Sequence, residues 1–185
     1  MIQGIYSDTN KKMESSVTVF QKELAGIRTG RASLALLDGI KVDYYGNPSP
    51  LTQVATLSVP DGRLITIQPW DTSLLPAIEK AILSSNLGLT PTNDGKIIRI
   101  SIPPLTEERR KELVKVVKKI AEDCKVAIRN VRRESMEHLK LLEKDKKISQ
   151  DDHKKANDEV QKITDKFIKR VDDITAKKDK EILEV

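Results

Sequence analysis

Aromatic residues, cysteine and histidine are scarce in this chain of 185 residues, and each shortage excludes a class of structure or chemistry. Aromatic residues make up only 3%, so a large aromatic core is excluded, while the many Lys and Glu residues favour helices with aliphatic seams. The single cysteine, Cys124, excludes an internal disulfide, is expected to be a buried small hydrophobe, and fits a reducing cytoplasm. The chain also has only two histidines, so we expect no metal site.

Long apolar runs and phosphate-binding glycine motifs are missing as well. No stretch of about 18 apolar residues occurs, and the N-terminus lacks a basic stretch followed by an apolar run, so we expect a soluble, unexported, cytoplasmic protein without a membrane partner. The segment 26–30 lacks the lysine and the preceding strand of a nucleotide-binding loop. Most carboxylates fall on charged helix faces, where solvation is a commoner role than acid–base catalysis. We predict a chain that is not an enzyme and needs no cofactor.

Positive charge, in contrast, is concentrated in one segment. Residues 105–147 contain 14 basic and 9 acidic residues, an excess equal to the net charge of +5 of the whole chain. On a helix, nine further cations fall within about 60° of Arg129: Lys111, Lys115, Lys118, Lys125, Arg132, Arg133, Lys140, Lys144 and Lys147. An apolar side is predicted opposite them: Leu113, Val116, Val117, Ile120, Cys124, Ala127, Val131 and Leu142. This pattern indicates an anionic partner.

A second interpretation of the same stripe stays open, because basic faces of bundle helices are often merely solvated. Three arginines within five residues, at positions 129, 132 and 133, favour phosphate binding, since the planar guanidinium grips phosphate with two hydrogen bonds. We therefore keep two classes of function: a nucleic-acid-binding factor, and a coiled-coil structural or chaperone-like protein. A nucleic-acid-modifying enzyme is a weaker third reading, because no reactive constellation is found.

The composition and the apolar spacing of the sequence divide the chain into an inserted module and the helical segments on either side of it. Apolar spacing predicts a helix up to about residue 29 with Gly30 as its C-cap, whereas all eight prolines lie in 31–104. Within 31–104, alternation predicts strands at 40–45, 54–59, 64–67 and 97–102. Turns are predicted at 46–48 and 92–96, and a short helix is predicted to end near residue 85. We predict a small α/β module, a β/α/β sandwich, inserted at residues 31–104.

Two more amphipathic helices follow the module. Thr106 is suited to cap a helix that reaches about residue 142 or 144, and Ser149 opens a last helix with the apolar spacing of a coiled coil. Three such helices bury their apolar faces most simply in one antiparallel bundle of residues 1–30 and 105–185. The predicted class is α+β, two-lobed, with a hinge at two chain crossings: Gly30, Arg31, Pro103, Pro104 and Leu105.

Three exposed-looking rings suggest base stacking as a competing use of the module. Tyr44 and Tyr45 are neighbours in a predicted strand, so we expect one in the core and the other exposed. Trp70 stands alone, without a basic patch in the sequence around it. A structural role is therefore the preferred interpretation for all three residues.

Five motifs in order along the chain resemble the bacterial ribosome recycling factor family. They are 27–33 (Ile-Arg-Thr-Gly-Arg-Ala-Ser), 36–40 (Leu-Leu-Asp-Gly-Ile), 44–46 (Tyr-Tyr-Gly), 103–110 (Pro-Pro-Leu-Thr-Glu-Glu-Arg-Arg) and 129–133 (Arg-Asn-Val-Arg-Arg). The resemblance implies a three-helix bundle with a hinged α/β insertion, tRNA-like in outline. It also implies a monomer that binds ribosomes after termination and, with elongation factor G and GTP, splits them into subunits, releasing mRNA and tRNA. The GTPase is the partner's.

By similarity, the motif 129–133 supplies the contacts to large-subunit ribosomal RNA. Arg129 and Arg132 match the family pattern, Arg133 is expected beside them, and Arg28 and Arg31 are weaker candidates. Lys118 and Lys125 join the set because they share the basic stripe. Leu34 departs from the family, which often has proline there, and this puts the stiffness of the first hinge crossing in question.

Overall fold

A computed structural model describes residues 1–184 as two compact units, Met1–Ile27 with Arg110–Glu184, and Arg28–Arg109. In chain order the elements are α1 (Ile2–Ala25), β1 (Lys41–Tyr44), β2 (Asn47–Pro50), β3 (Ala55–Asp61), β4 (Leu64–Pro69), α2 (Leu75–Ser84), β5 (Pro91–Asn93), β6 (Ile98–Ser101), α3 (Glu107–Lys144) and α4 (Gln150–Leu183). Long helices and a small antiparallel sheet domain confirm the predicted α+β class. Among residues 1–184, no helix has the length and hydropathy to cross a membrane.

The three long helices form the first unit as an up-down-up bundle. α1 and α3 are antiparallel, since residues further along α1 meet earlier residues of α3: Thr9 hydrogen-bonds to Ser135 at 2.6 Å, and Cys124 donates to the carbonyl of Ser16 at 3.6 Å. The core is aliphatic with one phenylalanine from each of two helices, as the scarcity of aromatics requires. Its buried members include Met13, Val17, Phe20, Leu24, Leu113, Val117, Ala121, Cys124, Ile128, Leu139, Ala156, Val160, Phe167, Val171 and Ile182.

Side-chain caps begin α3 and α4 where the sequence predicted them. The hydroxyl of Thr106 accepts from the backbone N–H of Arg109 at 3.2 Å. Ser149 and Asp152 form a reciprocal capping box, in which the Ser149 hydroxyl accepts from the Asp152 N–H at 3.0 Å and the Asp152 carboxylate accepts from the Ser149 N–H. Both starts are confirmed.

The predicted end of α1 is wrong by four residues, and Gly30 is not its C-cap. The helix stops at Ala25, and Gly26 is the capping residue. Glycine is a poor helix former because its backbone loses the most conformational freedom, so the helix ends at Gly26, the first glycine beyond its opening turn. Gly30 has φ +75° and serves a bend further along the chain.

The buried side of α3 also differs from the prediction. The structure buries Leu113, Val117, Ala121, Cys124, Ile128, Ser135 and Leu139, which centre about 110° around the helix from Arg129, instead of opposite it. Val116, predicted to be buried, is 44% exposed. The reason is that α3 packs against both α1 and α4, and the positions of α1 and α4 determine which side of α3 is buried. The basic stripe therefore borders the core on the side of α4.

The second unit consists of two antiparallel sheets with α2 between them. The larger sheet has the order β3-β4-β6-β5, β1 and β2 form a separate hairpin, and α2 contacts β1 and β5. This is a β/α/β arrangement. Its core is formed by Leu37, Ile40, Val42, Leu51, Val54, Ala55, Ile65, Ile67, Leu75, Ile78, Ile82, Leu89, Ile98, Ile100 and Ile102.

The prediction that one of the two tyrosines is buried is wrong. β1 ends at Tyr44, and Tyr45 and Gly46 form the turn with φ values of +50° and +84°, so strand alternation does not extend to Tyr45. Tyr44 is 39% and Tyr45 is 82% exposed, and their rings stack edge to face. The predicted turn at 46–48 therefore begins one residue earlier, and β2 starts at Asn47.

Candidate nucleic-acid interface

One helix positions the five cations of the basic stripe that the sequence assigns to RNA binding. α3 is an unbroken helix of 38 residues, so Lys118, Lys125, Arg129, Arg132 and Arg133 keep the angular relations that their spacing implies. The structure brings them to one side of the first unit. Their side chains, however, meet two different environments.

An inner row of cations lies against α4. Lys118, Lys125 and Arg132 are each seven residues apart, which places them on one line along the helix. The ammonium of Lys125 lies 2.5 Å from Asp172 Oδ1, and Arg132 Nη1 donates to Gln161 Oε1 at 3.1 Å. We call these three residues the inner row.

The ends of the inner row are partly desolvated. The Nε of Arg132 is buried and has no hydrogen-bond partner among residues 1–184. Near the other end, burial raises the pKa of the Asp179 carboxyl, and the charge of Lys118 partly offsets that rise. The Oδ1 of Asp179 is also buried without a partner among the described residues.

An outer row, Arg129 and Arg133, forms no hydrogen bond or ion pair with α4 within residues 1–184. Arg129 Nη1 lies 2.8 Å from Glu122 Oε1, and the hydrogen bond from Arg129 lowers the pKa of that carboxyl. Arg133 is exposed and, within residues 1–184, forms neither a hydrogen bond nor an ion pair. It is the one arginine of the motif 129–133 whose donors are all available to a ligand.

Arg28 and Arg31 belong to the other unit, Arg28–Arg109. Both side chains are exposed. Arg28 Nη2 donates to the carbonyl oxygen of Asn86 at 3.4 Å, a long hydrogen bond. The guanidinium of Arg28 is thus placed over the loop that follows α2.

The predicted hinge residues all lie in this second unit too. A Cβ on Gly30 would meet the Cγ of Leu105 at 3.2 Å, so the two chain crossings touch at this point. Positive φ and this close approach together explain why a glycine occupies position 30.

Metal ligands do not cluster anywhere in the described part of the chain: no group of three or more His, Cys, Asp or Glu residues there could hold an ion. His153 instead pairs through Nδ1 with Glu143, and its Nε2 lies 3.0 Å from the Asn157 amide. The pair with Glu143 joins the first turn of α4 to the end of α3.

Sequence reasoning missed the acceptors on α4. Asp172 and Gln161 contact the inner row, and they lie 47 and 29 residues from their partners Lys125 and Arg132. A signal was present, since Asp165, Asp172 and Asp179 repeat at the same seven-residue interval as the inner row. The match between the two repeats can be recognised once the antiparallel register of α3 and α4 is known.

Comparison with known proteins decides the family. The sequence profile described as "Ribosome recycling factor" matches residues 20–183. The chain belongs to the ribosome recycling factor family. This membership confirms the resemblance carried by the five motifs, and it favours that reading over a coiled-coil structural or chaperone-like protein.

Relatives in the family match along their whole length. The ribosome-recycling factor of Geobacter metallireducens is 60% identical over 185 residues, which is 100% of both chains. That of Oleidesulfovibrio alaskensis is 59% identical over 98% of each chain, and that of Desulfatibacillum aliphaticivorans is 56% identical over 100% of each.

Solved structures of the family agree with the fold. A solution structure of a ribosome recycling factor matches with a TM-score of 0.81 at 46% identity, over 100% of this chain and 98% of the other. A second match has a TM-score of 0.69 at 50% identity and covers 99% of both chains. Its subject is the T. thermophilus ribosome recycling factor with the E. coli elongation factor G, bound to the E. coli post-termination complex.

Proposed function

We propose that this chain binds ribosomes after termination and, with elongation factor G and GTP, promotes their dissociation into subunits and the release of mRNA and tRNA. Family membership over the full chain supports this function. A further support is the related structure of a recycling factor with elongation factor G on a post-termination complex. The chain acts as a cytoplasmic monomer, and the GTPase activity is the partner's.

The observation that carries the ribosome contact is the basic face of α3. Phosphates of large-subunit ribosomal RNA are its ligand, because arginine and lysine side chains on a rigid helix match closely spaced backbone charges. Among the five cations assigned to RNA binding, Arg133 is the primary contact, because its planar guanidinium can grip a phosphate with two hydrogen bonds and has no internal partner to give up. Arg28 and Arg31 of the second unit are additional RNA contacts.

The chain contributes positioning and force rather than chemistry, so we propose that it is not an enzyme and binds no cofactor. The two chain crossings act as the hinge of the inserted domain: Gly30, Arg31, Pro103, Pro104 and Leu105. Contact of Gly30 with Leu105 supports their acting together.

A reconstituted splitting assay tests the function as a whole. Purified post-termination ribosomes are mixed with the protein, elongation factor G and GTP, and subunits are separated by sedimentation. We expect subunits only when all three additions are present. Splitting that is independent of the protein, or turnover of RNA by the protein alone, would refute the proposal.

Arg133→Ala tests the RNA contact. Loss of one charge-assisted hydrogen bond, about 1.5 kcal/mol, weakens binding to large subunits on the order of tenfold. The slope of log affinity against log salt falls by about 0.7 to 0.9, the value for one phosphate. Arg170→Ala is the matched control, because Arg170 pairs with Glu14 of α1 and stands apart from the basic stripe. Equal effects of the two variants would contradict the assigned interface.

A further inference from the structure

Acidic residues on α4 repeat in step with the inner row on α3. Lys125 pairs with Asp172, and the two helices are antiparallel, so a step of seven residues back on α3 corresponds to seven forward on α4. Lys118 therefore stands opposite Asp179, and Arg132 opposite Asp165. Three cation–carboxylate pairs, here called rungs, therefore face each other across the two helices.

Contacts in the structure support two of the three rungs. In the middle rung the Lys125 ammonium lies 2.5 Å from Asp172 Oδ1. In the rung at Arg132, Gln161 acts as a relay: its Oε1 accepts from Arg132 Nη1 at 3.1 Å, and its Nε2 donates to Asp165 Oδ1 at 2.8 Å. At the remaining rung, Lys118 and Asp179 form neither a hydrogen bond nor an ion pair within residues 1–184, and Asp179 Oδ1 is buried without a partner.

These ion pairs contribute little to the stability of the fold. Asp172 is 55% exposed in the middle rung, and ion pairs with that much exposure contribute little to folding. Their effect on the basic stripe is larger. A carboxylate in contact with an ammonium neutralises it and repels a phosphate that approaches the same nitrogen. The inner row thus offers less net positive charge than its sequence suggests.

We propose that Asp172, and Asp165 through Gln161, are positioning residues that act as internal counterions, holding Lys125 and Arg132 against α4 and competing with RNA phosphate for them. The inference rests on the proposed RNA contact and describes its regulation. Arg133 binds phosphate directly, whereas Lys125 and Arg132 bind only by exchanging a partner. This exchange lowers the affinity and allows the factor to leave the ribosome after each round.

Asp172→Asn against Asp173→Asn is the decisive comparison. Both substitutions raise the net charge by one, but Asp173 lies about 100° further around α4 and forms no ion pair within residues 1–184. We expect Asp172→Asn to tighten binding to purified large subunits about fivefold, the effect of one unit charge at about 4 Å in water. The salt slope should rise by about 0.7 to 0.9, because Lys125 gains a phosphate. Asp173→Asn should change both quantities much less.

A double variant separates competition from a merely structural effect. When Lys125→Ala is added, the gain from Asp172→Asn should vanish, since no cation remains to be released. Equal gains for Asp172→Asn and Asp173→Asn, a loss of affinity for Asp172→Asn, or a gain that persists without Lys125 would each overturn the inference.

The Arg133→Ala result distinguishes this failure from failure of the interface itself. If Arg133→Ala weakens binding while Asp172→Asn matches Asp173→Asn, the interface stands and the counterion role is wrong. If neither Arg133→Ala nor Asp172→Asn changes affinity, both are wrong. Helix content measured by circular dichroism should be the same in all these variants, because every substituted side chain except Lys125 is more than half exposed or lies at the surface.

Discussion

Substituting Gly30 by alanine should destabilise the second unit more than the same change at Gly39. Both glycines have positive φ, +75° and +87°, and both belong to the unit Arg28–Arg109. A Cβ at position 39 would meet nothing within 4 Å, whereas one at position 30 would lie 3.2 Å from Leu105 Cγ. The pair therefore isolates the close contact from the backbone conformation.

The magnitudes follow from these two terms. Positive φ costs an alanine about 1–2 kcal/mol, and the lower entropy of the unfolded alanine chain offsets about 0.4–1 kcal/mol of it. That net cost, about 1 kcal/mol, applies at both positions. Crowding against Leu105 adds about 1 kcal/mol at position 30, the lower end for overpacking. We expect losses of about 2 kcal/mol for Gly30→Ala and about 1 kcal/mol for Gly39→Ala.

Urea unfolding followed by tryptophan fluorescence measures the difference. Trp70 is the single tryptophan of the chain and lies in the same unit as both glycines, where its Nε1 donates to Thr56 Oγ1 at 3.1 Å. With a slope of about 1–3 kcal/mol per molar urea, the two midpoints should differ by about 0.3–1 M. A Gly39→Ala midpoint equal to or below that of Gly30→Ala would refute the role assigned to the Leu105 contact.

Two further predictions concern titratable groups. Hydrogen bonds from the backbone N–H of Ile97, then from Arg99 and from the backbone N–H of Lys96, lower the pKa of Asp94 from 3.8 to about 2. The stabilisation of the folded state by these hydrogen bonds is complete above pH 3.8 and is lost as the pH falls towards 2. Acid unfolding should therefore depend on pH in this range less steeply in Asp94→Asn, and an unchanged dependence would contradict this. Burial raises the pKa of Cys124 to about 11, so at about pH 8 a thiol reagent should modify the native protein far more slowly than the urea-unfolded chain. Similar rates would show an accessible thiol.

Local signals predicted the elements whose boundaries depend on neighbouring residues. Thr106 and Ser149 begin α3 and α4 because a side-chain oxygen satisfies backbone N–H groups that no helical carbonyl can reach. The turn at 92–96 likewise returns the chain between β5 and β6, since the side chains of Asn93 and Asp94 accept from nearby backbone N–H groups. Such hydrogen bonds span only two or three residues.

Predictions failed where periodicity was extended past a break or where distant partners decide burial. Strand alternation was carried on to Tyr45, although the positive φ of that residue places it in the turn. Val116 was assigned to the core because it lies on the side of the helix opposite the basic stripe, but it stays 44% exposed. A helical projection shows which residues share a face and does not show where the neighbouring helices lie.

The sequence by itself determined the family, the α+β class and the grouping of cations along one face of α3, because motifs and helical spacing are properties of the local chain. Tertiary structure alone decided which of these cations carry an internal counterion. Lys125 meets Asp172 and Arg132 meets Gln161 only through the register of two helices that pack antiparallel. The number of cations on the stripe follows from the sequence. The packing of α4 against α3 decides that Lys125 and Arg132 have internal partners, whereas Arg133 has none within residues 1–184.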